Sequence, residues 1–350
     1  ASLALEARAM KYAADNGAVI LQCSWGYHSS KSNLVLGYIP GPATEEEWAA
    51  TYPLEKEALD YFIHNAGSPN GVIDGGLAIF ASGNEYAAQS SFPAAYSKCI
   101  SVAALAADYT PATYTNYGAE VALSAPGGDL EYYGTPGEAD EAYDEQGVLR
   151  EQGAIFSTLV VNGVPGYGYY EGTSMACPHV SGVAALGLAY AKQLKRHFTW
   201  EEFRELMVST GEDIDSYFVG DKLIHWNHTS PGATPTKIAL GGYKGKMGRK
   251  VDAGALLKAI DGSGRDMRLP NIYIAPESTY TLELDDYFVE RPTFAEVGNT
   301  AVATATLQGS TLTIKALSEG NTTLTITLEG GKSHTSNIIV RRGANDNGIL

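Results

Sequence analysis

The sequence predicts an α/β chain: a three-layer domain on a parallel sheet, followed by a small all-β sandwich. Three observations carry this expectation. Near the start, apolar positions at helical spacing give way to a nearly all-apolar strand, Ala18–Ser24, and a second such run follows at Leu77–Ala81. Alternating helices and buried strands are the pattern of a parallel sheet with right-handed crossovers. In the middle, a glycine-rich loop runs into the apolar helical pattern Val183–Ala191. After residue 268 the period changes to two, with short β-branched strands between Gly-Ser, Glu-Gly-Asn and Gly-Gly-Lys turns.

Charge narrows the range of partners. In 350 residues, 40 acidic side chains face 24 basic ones, a formal net charge of −16. That balance argues against electrostatic binding of nucleic acid or anionic membrane. No apolar run is long enough to span a bilayer, and Ala1–Glu6 shows no basic stretch leading into an apolar core, so neither a membrane-spanning segment nor a signal peptide is expected. Cys23, Cys99 and Cys177 show no Cys-x-x-Cys spacing and read as small buried hydrophobes.

In chain order, Leu5, Ala9, Tyr12 and Ala13 define a first helix over residues 3–16, closed by Asn16-Gly17. The Ala18–Ser24 strand reads as a central strand covered on both faces and ends at Ser24-Trp25-Gly26. Between Tyr27 and Gly76 lies an insertion with one helix over 45–64, and His64 reads as a partly exposed residue at its end. The Leu77–Ala81 strand runs into Ser82-Gly83-Asn84, by itself an ordinary turn. An asparagine amide is also an uncharged N–H donor suited to an oxygen that becomes negative during reaction.

The stretch Gly172-Thr173-Ser174-Met175-Ala176-Cys177-Pro178-His179-Val180-Ser181-Gly182 is the most informative in the chain. A serine where a loop becomes a helix sits among unpaired backbone N–H groups at the positive end of the helix dipole, where developing negative charge is favoured. Gly172 permits close backbone approach, Thr173 is placed to cap, and Pro178 lies near the helix start, where a missing N–H costs little. The plainer reading is an N-cap followed by a buried helix.

The whole string resembles the nucleophile signature of the subtilisin-like serine proteases, the subtilases. Ser82-Gly83-Asn84 is similar to their oxyanion motif. Between the two, Phe92–Tyr96, Cys99–Ala104, Tyr114–Gly118 and Val121–Gly127 follow in the family's order, and Ile155–Thr158 resumes it. Residues 248–259 resemble the family's closing turn and helix, so the likeness covers about residues 3–262.

The resemblance implies a secreted or surface endopeptidase acting on peptide or protein substrates by acyl-enzyme chemistry. Ser174 takes the nucleophile position and Asn84 the oxyanion position. Ser24, Trp25, Gly26, Ala81, Ser82 and Gly83 line the substrate pocket, where Gly26 and Gly83 leave room. Thr173, Pro93 and His179 are structural neighbours of the site, with Phe92-Pro93 in the cis form. No cofactor is evident, although the family allows calcium.

The family's other two catalytic motifs are missing. None of His28, His64, His179, His197, His225, His228 or His334 is followed by Gly-Thr, and neither Asp74-Gly75-Gly76 nor Asp261-Gly262-Ser263-Gly264 falls where the family carries its aspartate. A serine without a base is a poor nucleophile, so this chain alone is expected to be inactive. It reads as the C-terminal portion of a subtilase, whose partner is the N-terminal part of the same protease domain. A degenerate, non-catalytic binding or scaffold module is the alternative.

From Gly128 to Gly153 an insertion carries Asp129, Glu131, Glu138, Asp140, Glu141 and Asp144. A calcium loop is one reading, but the spacing fits no rigid loop, and a solvated acidic loop is preferred. Thr199 is placed to cap a helix over 199–207, and residues 209–249 read as loop. The expected boundaries are 1–266 for the catalytic portion, 267–342 for a domain similar to bacterial Ig-like sandwiches, and 343–350 for a tail, with no strand shared between the two domains.

Overall fold

A computed structural model describes residues 3–32, 34, 37–129, 153–161, 163–224, 236–262, 269 and 271–341. Most of the 128–153 insertion, the His225 and His228 segment, residues 263–264 and the 343–350 tail therefore lie outside the described residues. The chain divides into two compact units, Ala1–Leu256 and Leu257–Leu350.

The first unit begins with α1 (Leu3–Asp15), β1 (Ile20–Cys23), α2 (Glu45–Thr51), α3 (Pro53–Asn65), β2 (Ile73–Asp74) and β3 (Leu77–Ala81). It continues through β4 (Ile100–Leu105), β5 (Val121–Pro126), β6 (Ile155–Val161), β7 (Val164–Tyr170) and α4 (Thr173–Gln193). Then come β8 (Phe198–Thr199), α5 (Trp200–Ser209), β9 (Asp221–Ile224), β10 (Thr236–Ala239) and β11 (Arg249–Lys250), with α6 (Ala253–Asp261) after them. The main sheet has the order β1-β3-β4-β5-β11, and every pairing in it is parallel. Every residue of β3 and β4 is buried. Across β1, β3, β4 and β5 packs α4, burying Ala176, Cys177, Val180, Ala184, Leu188 and Ala191 at three- and four-residue spacing. Ala78 and Phe80 of β3 share a cluster with Ala7 and Met10 of α1 and Leu59 and Ile63 of α3.

Several sequence expectations need correction. Among the described residues β1 is an edge strand, not a central one: it pairs only with β3, Gln22 is exposed, and Ile20 and Leu21 are half-buried. The expected single helix over 45–64 is two, because Pro53 lacks the N–H needed to continue α2 and instead starts α3, leaving Tyr52 at φ −128° between them. The span 209–249 is not all loop, since β9 and β10 pair antiparallel and β11 adds a fifth strand to the sheet. As expected, Thr199 and Glu202 form a reciprocal capping box on α5, all three cysteines are buried, and the Phe92-Pro93 peptide is cis.

The second unit holds β12 (Ile272–Ile274), β13 (Thr279–Glu283), β14 (Pro292–Val297), β15 (Ala303–Gln308), β16 (Thr311–Ala316), β17 (Gly320–Leu328) and β18 (Ser333–Val340). They form one sheet ordered β12-β18-β17-β14 and another ordered β13-β16-β15, and none joins the parallel sheet. Inward residues of both sheets, among them Ile274, Leu312, Ile314, Leu324, Ile326 and Ile338, belong to one buried cluster.

Candidate active site

Gly172 is the N-cap of α4 at φ +142°, a conformation that favours glycine. The cap is thus Gly172 and not Thr173, whose polar atoms act elsewhere. Thr173 N and Thr173 Oγ1 both donate to Asn84 Oδ1, at 2.9 and 2.7 Å. Two donors on one oxygen fix the amide and free its Nδ2 from that face. A Cβ on Gly172 would lie 3.7 Å from Asn84 Nδ2, so this donor stands beside the turn that carries Ser174. Neither Asn84 Nδ2 nor the Ser174 N–H has a hydrogen-bond partner among the described residues. Two such donors beside a hydroxyl, at a helix N-terminus, form a place for a negative oxygen.

On the other side of Ser174 the contacts come from the end of β1. Ser174 Oγ donates to Ser24 O at 3.3 Å, and Ser24 Oγ donates back to Ser174 O at 2.8 Å. The second bond has a cause in sequence. Pro178 is four residues after Ser174 and has no N–H, so the Ser174 carbonyl loses its helical partner, and Ser24 replaces it. Pro178 therefore lies beyond the first turn, where its missing donor does carry a cost, contrary to the sequence expectation. Among the described residues no histidine or carboxylate is hydrogen-bonded to Ser174. His179 is exposed, with Nδ1 2.8 Å from Met175 O on its own helix.

The segments expected to line the pocket reach this site, though not all as anticipated. Trp25 is exposed and meets Phe80 edge-on at 5.4 Å between ring centroids. Ala81 and Ser82 are buried, and Ser82 Oγ donates to Asn116 O at 3.1 Å. Gly83 does not simply leave space for substrate: a Cβ there would fall 2.2 Å from Asn116 Nδ2. At Gly26 a Cβ would meet Phe92 O at 3.0 Å, next to the Tyr27 N to Phe92 O bond of 2.8 Å that ties this strand end to the Phe92-Pro93 turn. Tyr27 OH also donates to buried Glu55 at 3.4 Å, and Trp48 Nε1 donates to the other Glu55 oxygen at 2.7 Å. Burial holds the Glu55 carboxyl above its usual range, against the opposing pull of these two donors.

Two positioning residues escaped notice in the sequence. Fully buried Asn116 accepts from Glu85 N at 3.1 Å and Ala87 N at 2.9 Å, while its Nδ2 donates to Ser82 O at 3.0 Å and Glu85 Oε2 at 2.5 Å. It thereby sets the loop on which Asn84 rides. The single Tyr114 OH proton is shared between Gly127 O and Gly128 O, and the hydroxyl oxygen accepts from Gly172 N at 2.8 Å, fixing the entry to α4. The only signal available was their membership in Tyr114–Gly118, a segment in family order without an assigned role. Asp129 needs correction as well: it is fully buried against Lys222, not part of a solvated acidic loop or a calcium loop. A cavity of about 580 Å³ lined by Gly17, Gly71, Lys195 and His197 lies at the other end of α4 and takes no part in this arrangement.

The subtilase family pattern matches residues 1–243, and the chain belongs to that family. The calcium-dependent protease of a Nostoc species is 28% identical over 242 residues, covering 66% of this chain and 31% of that protein. Halolysin of Haloferax mediterranei is 39% identical over 114 residues, 32% of this chain and 17% of its own length. Subtilisin amylosacchariticus of Bacillus subtilis subsp. amylosacchariticus is 30% identical over 199 residues, 51% of this chain and 42% of its own. The chain spans less than half the length of each of these relatives. Among solved structures, the prenylagaramide maturation protease PagA aligns over 74% of this chain and 68% of its own at 19% identity, with a TM-score of 0.46. No helix among the described residues is long and apolar enough to cross a membrane.

Proposed function

We propose that this chain carries the nucleophile and oxyanion half of a subtilisin-like serine endopeptidase. Ser174 Oγ attacks the peptide carbonyl carbon as a base takes its proton; the C–N bond then breaks, the amine leaves with that proton and an acyl-enzyme remains, while Asn84 Nδ2 and the Ser174 N–H receive the oxygen as it becomes negative. Ser24, Trp25, Gly26, Ala81, Ser82 and Gly83 border the substrate, a peptide or protein. The observation that carries this reading is the double hydrogen bond from Thr173 to Asn84 Oδ1, which presents the amide donor beside Ser174. Thr173, Pro93 and His179 support the surrounding structure without touching the reacting atoms.

The proton acceptor and its orienting carboxylate come, in this reading, from the N-terminal part of the same protease domain. Two features support that: the chain has neither motif, and the outer edge of β1 is unpaired among the described residues at the strand whose end contacts Ser174. Ligand sites of parallel sheets form at the carboxyl ends of the strands, where Ser24 lies. We take an extracellular or cell-surface setting from the family, and the family allows calcium in the intact protein, its relatives including calcium-dependent proteases. Among the described residues no cluster of three or more His, Cys, Asp or Glu suits a metal ion. The second unit fits an Ig-like sandwich, a reading supported by its two sheets and common core.

Labelling with a fluorophosphonate tests the proposal. A longer protein with Asp-Ser/Thr-Gly and His-Gly-Thr segments upstream, or that part supplied in trans, is expected to be labelled at Ser174 and to hydrolyse peptides. The isolated chain is expected to be slower by about 10⁶-fold, the loss seen when subtilisin itself is deprived of its serine or histidine. Hydrolysis by the isolated chain at the completed protein's rate overturns the half-site reading. An unreactive Ser174 in the completed protein favours the alternative, a non-catalytic scaffold, for which the Ser174 hydroxyl resting on Ser24 O is the supporting observation.

A further inference from the structure

A fully buried lysine and a fully buried aspartate meet just before the segment that leads to Ser174. Lys222 Nζ lies 2.6 Å from Asp129 Oδ2, and donates also to Pro111 O at 2.5 Å and Thr110 Oγ1 at 3.2 Å. Asp129 is further satisfied by Thr113, whose N donates to Oδ2 at 2.9 Å and whose Oγ1 donates to Oδ1 at 2.8 Å. Burying both charges is tolerable only because each has several polar partners. A carboxylate, a backbone carbonyl and a hydroxyl are also the kinds of oxygen a hard metal cation takes. Here an ammonium from the chain occupies that environment.

The pair grips two neighbouring segments at once. One is Thr110–Thr113, followed directly by Tyr114, and the other is Asp129, preceded directly by Gly127 and Gly128. These are the groups that hold the start of α4: the single Tyr114 OH proton is shared between Gly127 O at 2.8 Å and Gly128 O at 2.7 Å, while Gly172 N is shared between Gly127 O at 2.9 Å and Tyr114 OH at 2.8 Å. The next residue, Thr173, holds Asn84. A path of hydrogen bonds and adjacent backbone thus links Lys222 to Asn84 and to Thr173, the neighbour of Ser174.

We propose that Lys222 is a positioning residue for the Ser174 turn: an internal cation that clamps the Thr110–Thr113 segment to Asp129, and through the adjoining Tyr114 and Gly127 sets Gly172, Thr173 and Asn84 without a metal ion at this place. Its catalytic meaning rests on the reading of Ser174 as nucleophile, but its geometric content does not, and amide exchange reports the geometry whether or not the chain turns over.

Hydrogen exchange of the 350-residue chain and its Lys222→Met variant tests the clamp. Loss of the ammonium leaves Asp129 buried without its cation. Exchange at Gly172 and Thr173 is expected to rise about 10-fold or more relative to Ile79 and Val102 of the sheet, because the opening is local. Adding Asp129→Asn to Lys222→Met removes the unpaired charge and is expected to restore part of the protection; this double variant is read if the single one does not fold. In the parent chain, EDTA or added calcium is expected to leave Gly172 and Thr173 unchanged. A uniform rise across all four amides, no rise at all, or failure of both variants to fold assigns the pair to general stability and overturns the proposal. Faster exchange at Gly172 in EDTA also overturns it, by giving the clamp to a metal.

Discussion

The two flanks of Ser174 differ in how much of their structure the chain supplies. On the Asn84 flank every support is internal: Thr173 fixes the amide, Asn116 fixes its loop, and Tyr114 with Gly127 fixes the helix entry. On the β1 flank the Ser174 hydroxyl rests on the Ser24 carbonyl, beside a strand whose outer edge has no partner among the described residues. Electrostatic stabilisation of an oxyanion requires only fixed dipoles, so it can be built and held in advance. Proton transfer requires a titratable group at hydrogen-bond distance, and among the described residues no histidine or carboxylate is hydrogen-bonded to Ser174. In the proposed reading, the halves of an acyl-transfer site are thus separable in structure, although they act together in the reaction.

The largest effect that tests this contrast concerns Asn84. In the completed protein, Asn84→Ala is expected to lower kcat by about 10²–10³ with a smaller change in KM, since the hydrogen bond matters mainly in the transition state; the magnitude is the one known for subtilisin's own asparagine. Equal losses in substrate binding and turnover would place Asn84 in ground-state recognition instead. Asn116→Ala is next. It strips four hydrogen bonds from buried groups around the Asn84 loop and should lower unfolding free energy by about 2–4 kcal/mol in a denaturant titration. A loss below about 1 kcal/mol would mean that the loop holds itself without Asn116.

How far the sequence could be read follows the same division. Features within one segment were legible: the Thr199 cap, the loop-to-helix transition at Gly172, and the apolar runs that become β1 and β3. Contacts between distant segments were not. Nothing local in Lys222 or Asp129 announces a pair separated by 93 positions, and the Asn116 side chain bonds a loop 31 and 29 residues away. The two-residue strand β11 is too short to show a period, and Pro53 was overlooked as a break because the apolar pattern continues across it. The roles proposed for Asn84 and Ser174 have another source: their surroundings resemble a long family pattern, and composition or spacing alone assigns them none.

A pH experiment addresses the β1 flank through Glu55, which holds Tyr27 behind the Trp25-Gly26 strand end. Its folded carboxyl is raised above the ordinary value of 4.5, mainly by burial. For a raised group, the contribution to stability is full below the unfolded pKa and is lost as pH rises through the folded one. Glu55→Gln removes that titration, so thermal melts should show the variant gaining on the parent as pH rises above the ordinary carboxylate value. A difference that stays constant with pH would show that the Glu55 carboxyl titrates alike in both states.

The finest comparison isolates the bond by which β1 replaces a missing helical donor. If Ser24 Oγ serves the Ser174 carbonyl because Pro178 cannot, then the cost of losing Ser24 depends on what occupies position 178. In the parent chain, Ser24→Ala leaves a carbonyl in the first turns of α4 without its partner and should destabilise by about 1–2 kcal/mol. With Pro178→Ala also present, an N–H returns four residues after Ser174 and the helix satisfies its own carbonyl, so the same Ser24→Ala change should cost about 1 kcal/mol less. Denaturant midpoints of the four proteins complete the cycle. Purely additive costs would show that Ser24 and Pro178 act independently, and the Ser24 hydroxyl would then have to be assigned to β1 itself through Gln22, which donates to it at 2.6 Å.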